Sequence, residues 1–235
     1  MCPGQETSVQ MTLETSKPMD WVGLLEQEGR GLVATLDAHP EASRLFDGTI
    51  DREGYVHYLV QTYHYVRWST PLLKGAGARL NRLGRHPKLA DLLLQKSEEE
   101  RGHERWLLAD LENLGCPVRA VQDTIPSPAV DAYTGWNCFT AWAGVPTAFL
   151  GTAYVLEYLS VTRATGAVDR LLQVSAIPNI HRAVTFLRSH GSLDEDHVAE
   201  LTSVLRTLTE VEDQAAVVLS ARTTRVVYPG FFRDP

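Results

Sequence analysis

Apolar residues recur at intervals of three or four through most of this 235-residue chain, and no run of strictly alternating residues is bounded by hairpin turns. That spacing predicts an all-α protein. The clearest stripe runs through Leu89, Leu93, Lys96, Glu100, His103, Leu107, Leu111 and Leu114, which is the face an amphipathic helix buries. With 44% hydrophobic residues the chain suits one domain with a sizeable core, and helices joined by short loops imply a bundle.

Local signals divide the pattern into elements. A first helix is expected from about Trp21 to Ala38, followed by the loop "HPEAS"; a second opens at about Asp51 on the acidic "DREGY". Pro71 should kink or split the stretch from Tyr55 to Leu83, because proline lacks the backbone donor and clashes with the preceding turn. A third helix spans about His86 to Leu114 and stops at Gly115, with Pro117 beyond it. After the loop "QDTIPSPAVD", helices are expected at about Pro128 to Ala143, Val145 to Ala164, Val168 to Val174 and Pro178 to Arg188. Gly191 is expected to end a helix, and Ser192 with Glu195 can form a capping box for a last one running from Asp194 to about Thr223. Residues 1–18 read as a disordered polar tail, 19–225 as a single domain, and 226–235 as a C-terminal tail that packs on the surface or frays.

Composition excludes several classes. A formal charge of −7, with Lys and Arg scattered among more numerous acids, argues against a nucleic-acid-binding face. The most apolar stretch, Ala132 to Thr162, is interrupted by Gly135, Asn137, Gly144, Pro146 and Gly151, so it reads as buried helix and not as a membrane span, which needs about 20 consecutive apolar residues. Cys2, Cys116 and Cys138 are too few and too irregular for a disulfide framework or a thiolate zinc site; with no secretory signal at the N-terminus, a cytoplasmic location is expected.

What the apolar stripes contain besides apolar residues points to chemistry. Glu100 and His103 sit in the third-helix stripe, and Asp194 and His197 precede Leu201, Leu205 and Leu208 on another, with His190 four residues before Asp194. Glu157 is the one acidic or basic side chain, tyrosines apart, between Ala132 and Thr162, and a buried carboxylate costs several kcal/mol unless paired. Three carboxylates and three imidazoles directed at one core suit iron or manganese in a helical bundle, where carboxylates bridge and imidazoles terminate; zinc fits on ligand type. The alternatives are an exposed charged face for "SEEERGHERW", pairing of Glu157 with Arg163 or Lys96, and an acidic helix start for "DED". His57, His64, His86 and His181 lack such partners and read as surface or packing residues, with His64 notable for the aromatic neighbours in "QTYHYVRW".

"EERGH", the isolated glutamate of "YVLEYLS" and "FLRSHGSLDEDHVAEL" resemble the ligand motifs of the haem-oxygenase-like diiron oxidases, also called the iron-containing redox enzyme family. The resemblance extends from about Trp21 to Thr223. It implies a seven-helix haem-oxygenase-like bundle holding two iron ions (Fe2+) that activate O2 as co-substrate, with Glu100, His103, Glu157, His190, Asp194 and His197 as ligands. Members of that family oxidise small molecules in specialised metabolism, by N-oxygenation of amines and amino acids or by oxidative C–C cleavage of fatty or amino acids, and homodimers are common among them. Electrons would come from an external donor, since nothing in the chain resembles a flavin or nicotinamide site. Some members carry a glutamate seven residues before the histidine of the third helix; here that position is Lys96, and Glu100 matches the decarboxylating members. The same fold serves metal-independent enzymes of the thiaminase II and pyrroloquinoline quinone synthase type. Thiaminase II uses a cysteine nucleophile, for which Cys138 in "WNCFTAW" is the nearest candidate, without the family's surrounding motif. Tyr154, one turn before Glu157, is expected to line a substrate pocket, with Trp142 and His64 as further candidates.

Overall fold

The structure, a computed structural model, describes residues 20–233, and within that span the side chains of 192–197 lie outside the description, as do the N-terminal stretch 1–19 and the residues after 233. The described residues are helical throughout, without strands. In chain order the α-helices are α1 (Trp21–Ala38), α2 (Pro40–Asp47), α3 (Arg52–Val66), α4 (Ser69–Leu83), α5 (Pro87–Glu99), α6 (His103–Asn113), α7 (Val118–Gln122), α8 (Pro128–Trp142), α9 (Phe149–Val174), α10 (Thr185–Leu205) and α11 (Val211–Val227).

Several boundaries follow from local chemistry. The carboxylates of Asp20 and Asp51 accept the backbone N–H of Gly23 and Gly54 at 3.0 and 2.6 Å, and the Ser127 hydroxyl accepts that of Val130 at 3.3 Å, so the starts of α1, α3 and α8 are capped. Pro71 falls in the first turn of α4, where its missing N–H costs nothing, and the chain breaks just before it at Arg67 and Trp68. "HPEAS" is not a loop but the start of α2, opened by Pro40 at its first position.

Other expectations are corrected. The helix expected from His86 to Leu114 is two helices, broken between Glu99 and His103; Gly102 adopts φ +92°, a left-handed conformation that glycine takes without the penalty of a Cβ. Three consecutive glutamates at the C-terminal end of α5 oppose the helix dipole and add to the reason for stopping there. Conversely, the break expected at Gly191 does not occur, because α10 runs through it. A Cβ at Gly191 would stand 2.9 Å from the Thr165 backbone nitrogen, and the Thr165 hydroxyl donates to the Gly191 carbonyl at 3.0 Å. This glycine serves the close approach of α10 to α9. The last helical stretch divides instead at residues 206–210, and the two segments expected within 145–174 form one helix, α9.

The core runs through all of these helices and is closed by the C-terminus. Tyr228, Phe231 and Phe232 are buried, with Tyr58 stacked on Phe232 at 5.2 Å between ring centroids, so the segment expected to be a tail from 226 onward belongs to the domain. No helix among the described residues is long and apolar enough to cross a membrane. α9 carries Glu157, Arg163, Asp169 and Arg170 along its length.

Candidate metal centre

The break between α5 and α6 places Glu100 and His103 opposite α10. One carboxylate oxygen of Glu100, one ring nitrogen of His103 and one of His190 lie within 4.8 Å of one another, the spacing of groups that share a metal ion. Glu100 Oε2 stands 3.0 Å from His103 Nδ1, but not along a hydrogen-bond direction, and the buried Nδ1 has no hydrogen-bond partner. A buried polar atom without a partner is costly in a native fold and asks for a missing neighbour. A cation between the nitrogen and the carboxylate supplies one, so the residues present fit a metal ion.

The imidazoles are held by aromatic rings. Trp106 stacks on His103 at 4.1 Å between centroids, and Phe186 lies 4.2 Å from His190. His190 Nδ1 lies 3.0 Å from the Phe186 carbonyl. Since a carbonyl only accepts, Nδ1 carries the proton and Nε2 keeps the lone pair that a metal needs. Burial pushes the His190 pKa below its usual value, so the ring stays neutral and available as a ligand.

Glu100, Glu157 and His190 lie in the wall of one cavity of about 200 Å³. Its lining is mostly apolar, with the phenols of Tyr58, Tyr65, Tyr133 and Tyr228 among the exceptions. Burial raises the pKa of all four, which therefore remain protonated, uncharged donors. The salt bridge considered between Glu157 and Arg163 is not formed: the Arg163 guanidinium pairs with Asp37 through hydrogen bonds of 2.9 and 2.5 Å. Lys96 reaches the cavity and pairs with Glu99 at 2.9 Å and Glu200 at 3.4 Å.

Asp194 and His197 lie outside the described side chains; their backbone belongs to α10. The three residues expected to line the pocket do not line this cavity. Tyr154 turns toward Tyr158, and Ala153 takes the place on the wall. Trp142 is 47% exposed at the end of α8 and packs over Gly75. His64 is buried beside Tyr63, its Nε2 2.8 Å from the Thr124 hydroxyl. The sequence reading missed Trp106 and Phe186, although Trp106 stands three residues after His103.

His64 gives a stability prediction. Burial lowers its folded-state pKa below the ordinary value near 6.5, so the unfolded chain binds its proton at higher pH than the native one. Stability is then full above about pH 6.5 and falls as pH drops toward the depressed value, with a slope of at most about 1.4 kcal/mol per pH unit for this one group. Denaturant midpoints measured between pH 7 and 5 should show the fall, and His64→Gln should make it shallower, leaving the part contributed by His57 and His190, whose pKa values burial also lowers.

Comparison with known proteins agrees with this geometry. Residues 56–227 match the family model described as iron-containing redox enzyme. The chain belongs to that family. A Shewanella denitrificans OS217 domain of unknown function with a haem oxygenase-like fold is 22% identical, with 92% of this chain and 91% of that one covered and a TM-score of 0.74. A TenA homologue from Pseudomonas syringae pv. tomato DC3000 aligns at 15% identity, 90% of each chain and a TM-score of 0.76. A CADD-like protein of unknown function from Nostoc punctiforme PCC 73102 aligns at 20% identity, 91% and 95% coverage and a TM-score of 0.66. No curated protein matches the sequence. The fold of this iron-containing redox enzyme family member is thus haem-oxygenase-like, as the resemblance of its motifs implies.

Proposed function

We propose that the protein is a non-haem diiron oxidase or oxygenase that uses O2 to oxidise a small molecule. The observation that carries this reading is the convergence of Glu100, His103 and His190 within 4.8 Å, with His103 Nδ1 buried and unpartnered, beside a mostly apolar cavity. These three would hold one iron. Glu157 on the same cavity wall, with Asp194 and His197 from α10, would complete a second site.

When bound, the metal pair supplies the reduction of dioxygen, with electrons from an external donor. The chain's own residues do the rest. The helix break presents Glu100 and His103 from a backbone fixed at both ends, and the Phe186 carbonyl holds His190 in the tautomer that leaves Nε2 free. The apolar wall excludes water and accepts the body of a substrate, and the protonated phenols offer neutral hydrogen bonds without competing for the metal. N-oxygenation of an amine or amino acid and oxidative C–C cleavage of a fatty or amino acid both begin from such a site.

A metal-independent enzyme on the same fold is favoured by the likeness to TenA homologues alone. Cys138 does not line the cavity, and burial raises its thiol pKa, which lowers its thiolate fraction and its value as a nucleophile. Anaerobic titration with Fe(II) should end near two equivalents, and subsequent exposure to air should give iron-dependent O2 consumption. Absence of metal uptake would overturn the proposal. Incubation of the iron-loaded protein with fatty acids and amino acids, followed by product mass, separates the two chemistries.

A further inference from the structure

Asp110 is fully buried on α6, two helical turns after His103 and so on the same face of that helix. Its carboxylate makes no salt bridge among the described residues and serves another helix instead. Oδ1 accepts the backbone N–H of Thr185 at 3.1 Å and Oδ2 that of Phe186 at 2.9 Å. These are the first two residues of α10, which has no side-chain cap of its own. Phe186 is therefore gripped at its nitrogen by α6, and its carbonyl accepts from His190 Nδ1 at 3.0 Å. The Tyr55 hydroxyl holds the preceding segment by donating to the Ala183 carbonyl at 2.6 Å. One carboxylate on α6 thus ties the helix that begins with His103 to the helix that carries His190.

We propose that Asp110 is a positioning residue for the two imidazoles: by clamping the first turn of α10 onto α6 it fixes the distance between His103 and His190 and the Nδ1–H tautomer of His190. The part that concerns metal rests on the diiron reading above, whereas the tautomer is a property of the protein without metal. Burial raises the Asp110 pKa against the lowering effect of its hydrogen bonds from Phe186 and Thr185 and of the nearby Arg188 charge.

The test compares Asp110→Asn with Asp213→Asn in the full chain. Asp213 is also fully buried, accepting from Thr147 at 2.7 Å and Arg85 at 2.8 Å with His86 Nε2 at 2.7 Å, but it lies on α11 among residues that hold no candidate ligand. It therefore controls for the loss of a buried carboxylate as such. Long-range 15N–1H correlation of the His190 ring in metal-free protein should show one tautomer in the wild type and in Asp213→Asn, and a mixture in Asp110→Asn. Co(II) affinity should fall about 10- to 100-fold in Asp110→Asn, the usual effect of removing a group that orients a ligand, with shifted visible bands. It should stay at the wild-type value in Asp213→Asn even where the melting temperature drops as far. Asp110→Glu, which keeps both acceptor oxygens displaced by a methylene, should show the same changes to a smaller degree and serves where the asparagine variant does not fold. A wild-type tautomer and wild-type Co(II) affinity in the Asp110 variants, or an equal loss in Asp213→Asn, overturns the proposal. If the wild type takes up no Co(II), the diiron reading fails, and the tautomer comparison still decides the role of Asp110.

Discussion

Glu100→Gln and His190→Asn are each expected to cut sharply the rise in melting temperature that Fe(II) or Co(II) gives the wild type. A ligand that binds only the native state stabilises it by RT ln(1 + [L]/Kd), about 2.7 kcal/mol at a hundredfold excess over Kd. For a chain of this size that is a rise of roughly 5–10 °C. Glu100 and His190 are two of the three described groups that meet within 4.8 Å, so either change removes a ligand outright, and the part of the rise that this ion gives should vanish. The metal-free proteins should behave differently. Glutamine at position 100 offers an amide donor to the His103 Nδ1 that now lacks one, so its melting temperature should match or exceed that of the wild type. Asparagine at 190 keeps a donor near the Phe186 carbonyl but loses the ring packing at 4.2 Å, and should melt somewhat lower. Thermal scans with and without metal check both statements. A metal-dependent rise as large as the wild type's in both variants removes these residues from the ligand set.

The candidate ligand positions were legible because the physics of burial is one-sided. A carboxylate or imidazole in an apolar stripe needs a reason, and Glu100, His103, Glu157 and His190 announce themselves by standing where leucine would. Asp110 stands beside the same stripe, between Leu107 and Leu111, and could have been found by that signal. The helix breaks were less legible, because glycine has two uses that look alike in sequence. Gly102 supplies a left-handed turn and ends a helix, whereas Gly191 supplies a missing Cβ and lets α10 lie against α9. Only the neighbouring helix distinguishes them. The orientation of Tyr154 was beyond reach for a related reason. Residues three and four positions before Glu157 flank its face on opposite sides, and the packing of α9 against α1 and α10 turns the Ala153 side to the cavity.

That packing yields the other large effect, at Gly151. A Cβ built there would overlap the Val217 carbonyl oxygen and stand 2.8 Å from the Ala221 nitrogen, both on α11. These are backbone atoms in a helix and cannot swing aside as a flexible side chain could. The neighbouring Thr152 hydroxyl bonds the Thr224 hydroxyl at 2.8 Å and approaches that of Ser220 at 3.1 Å in a buried cluster, so parting α9 from α11 also opens polar groups to one another's loss. Gly151→Ala should therefore destabilise the protein by about 3 kcal/mol, at the upper end for overpacking. That corresponds to roughly 6–12 °C in melting temperature. Gly166 lies in the interior of the same helix with nothing within 4 Å of its would-be Cβ. There the same substitution should stabilise by about 0.5–1 kcal/mol, because alanine loses less backbone entropy on entering a helix. Helix propensity alone gives both changes one sign, whereas contact with α11 gives them opposite signs. Chemical denaturation of the two variants side by side tells these apart. Because Ala153, Leu156 and Glu157 lie on the cavity wall within two turns of Gly151, any α9 shift that lets the Gly151→Ala protein fold should also weaken metal uptake. The Gly166→Ala protein should bind metal as the wild type does.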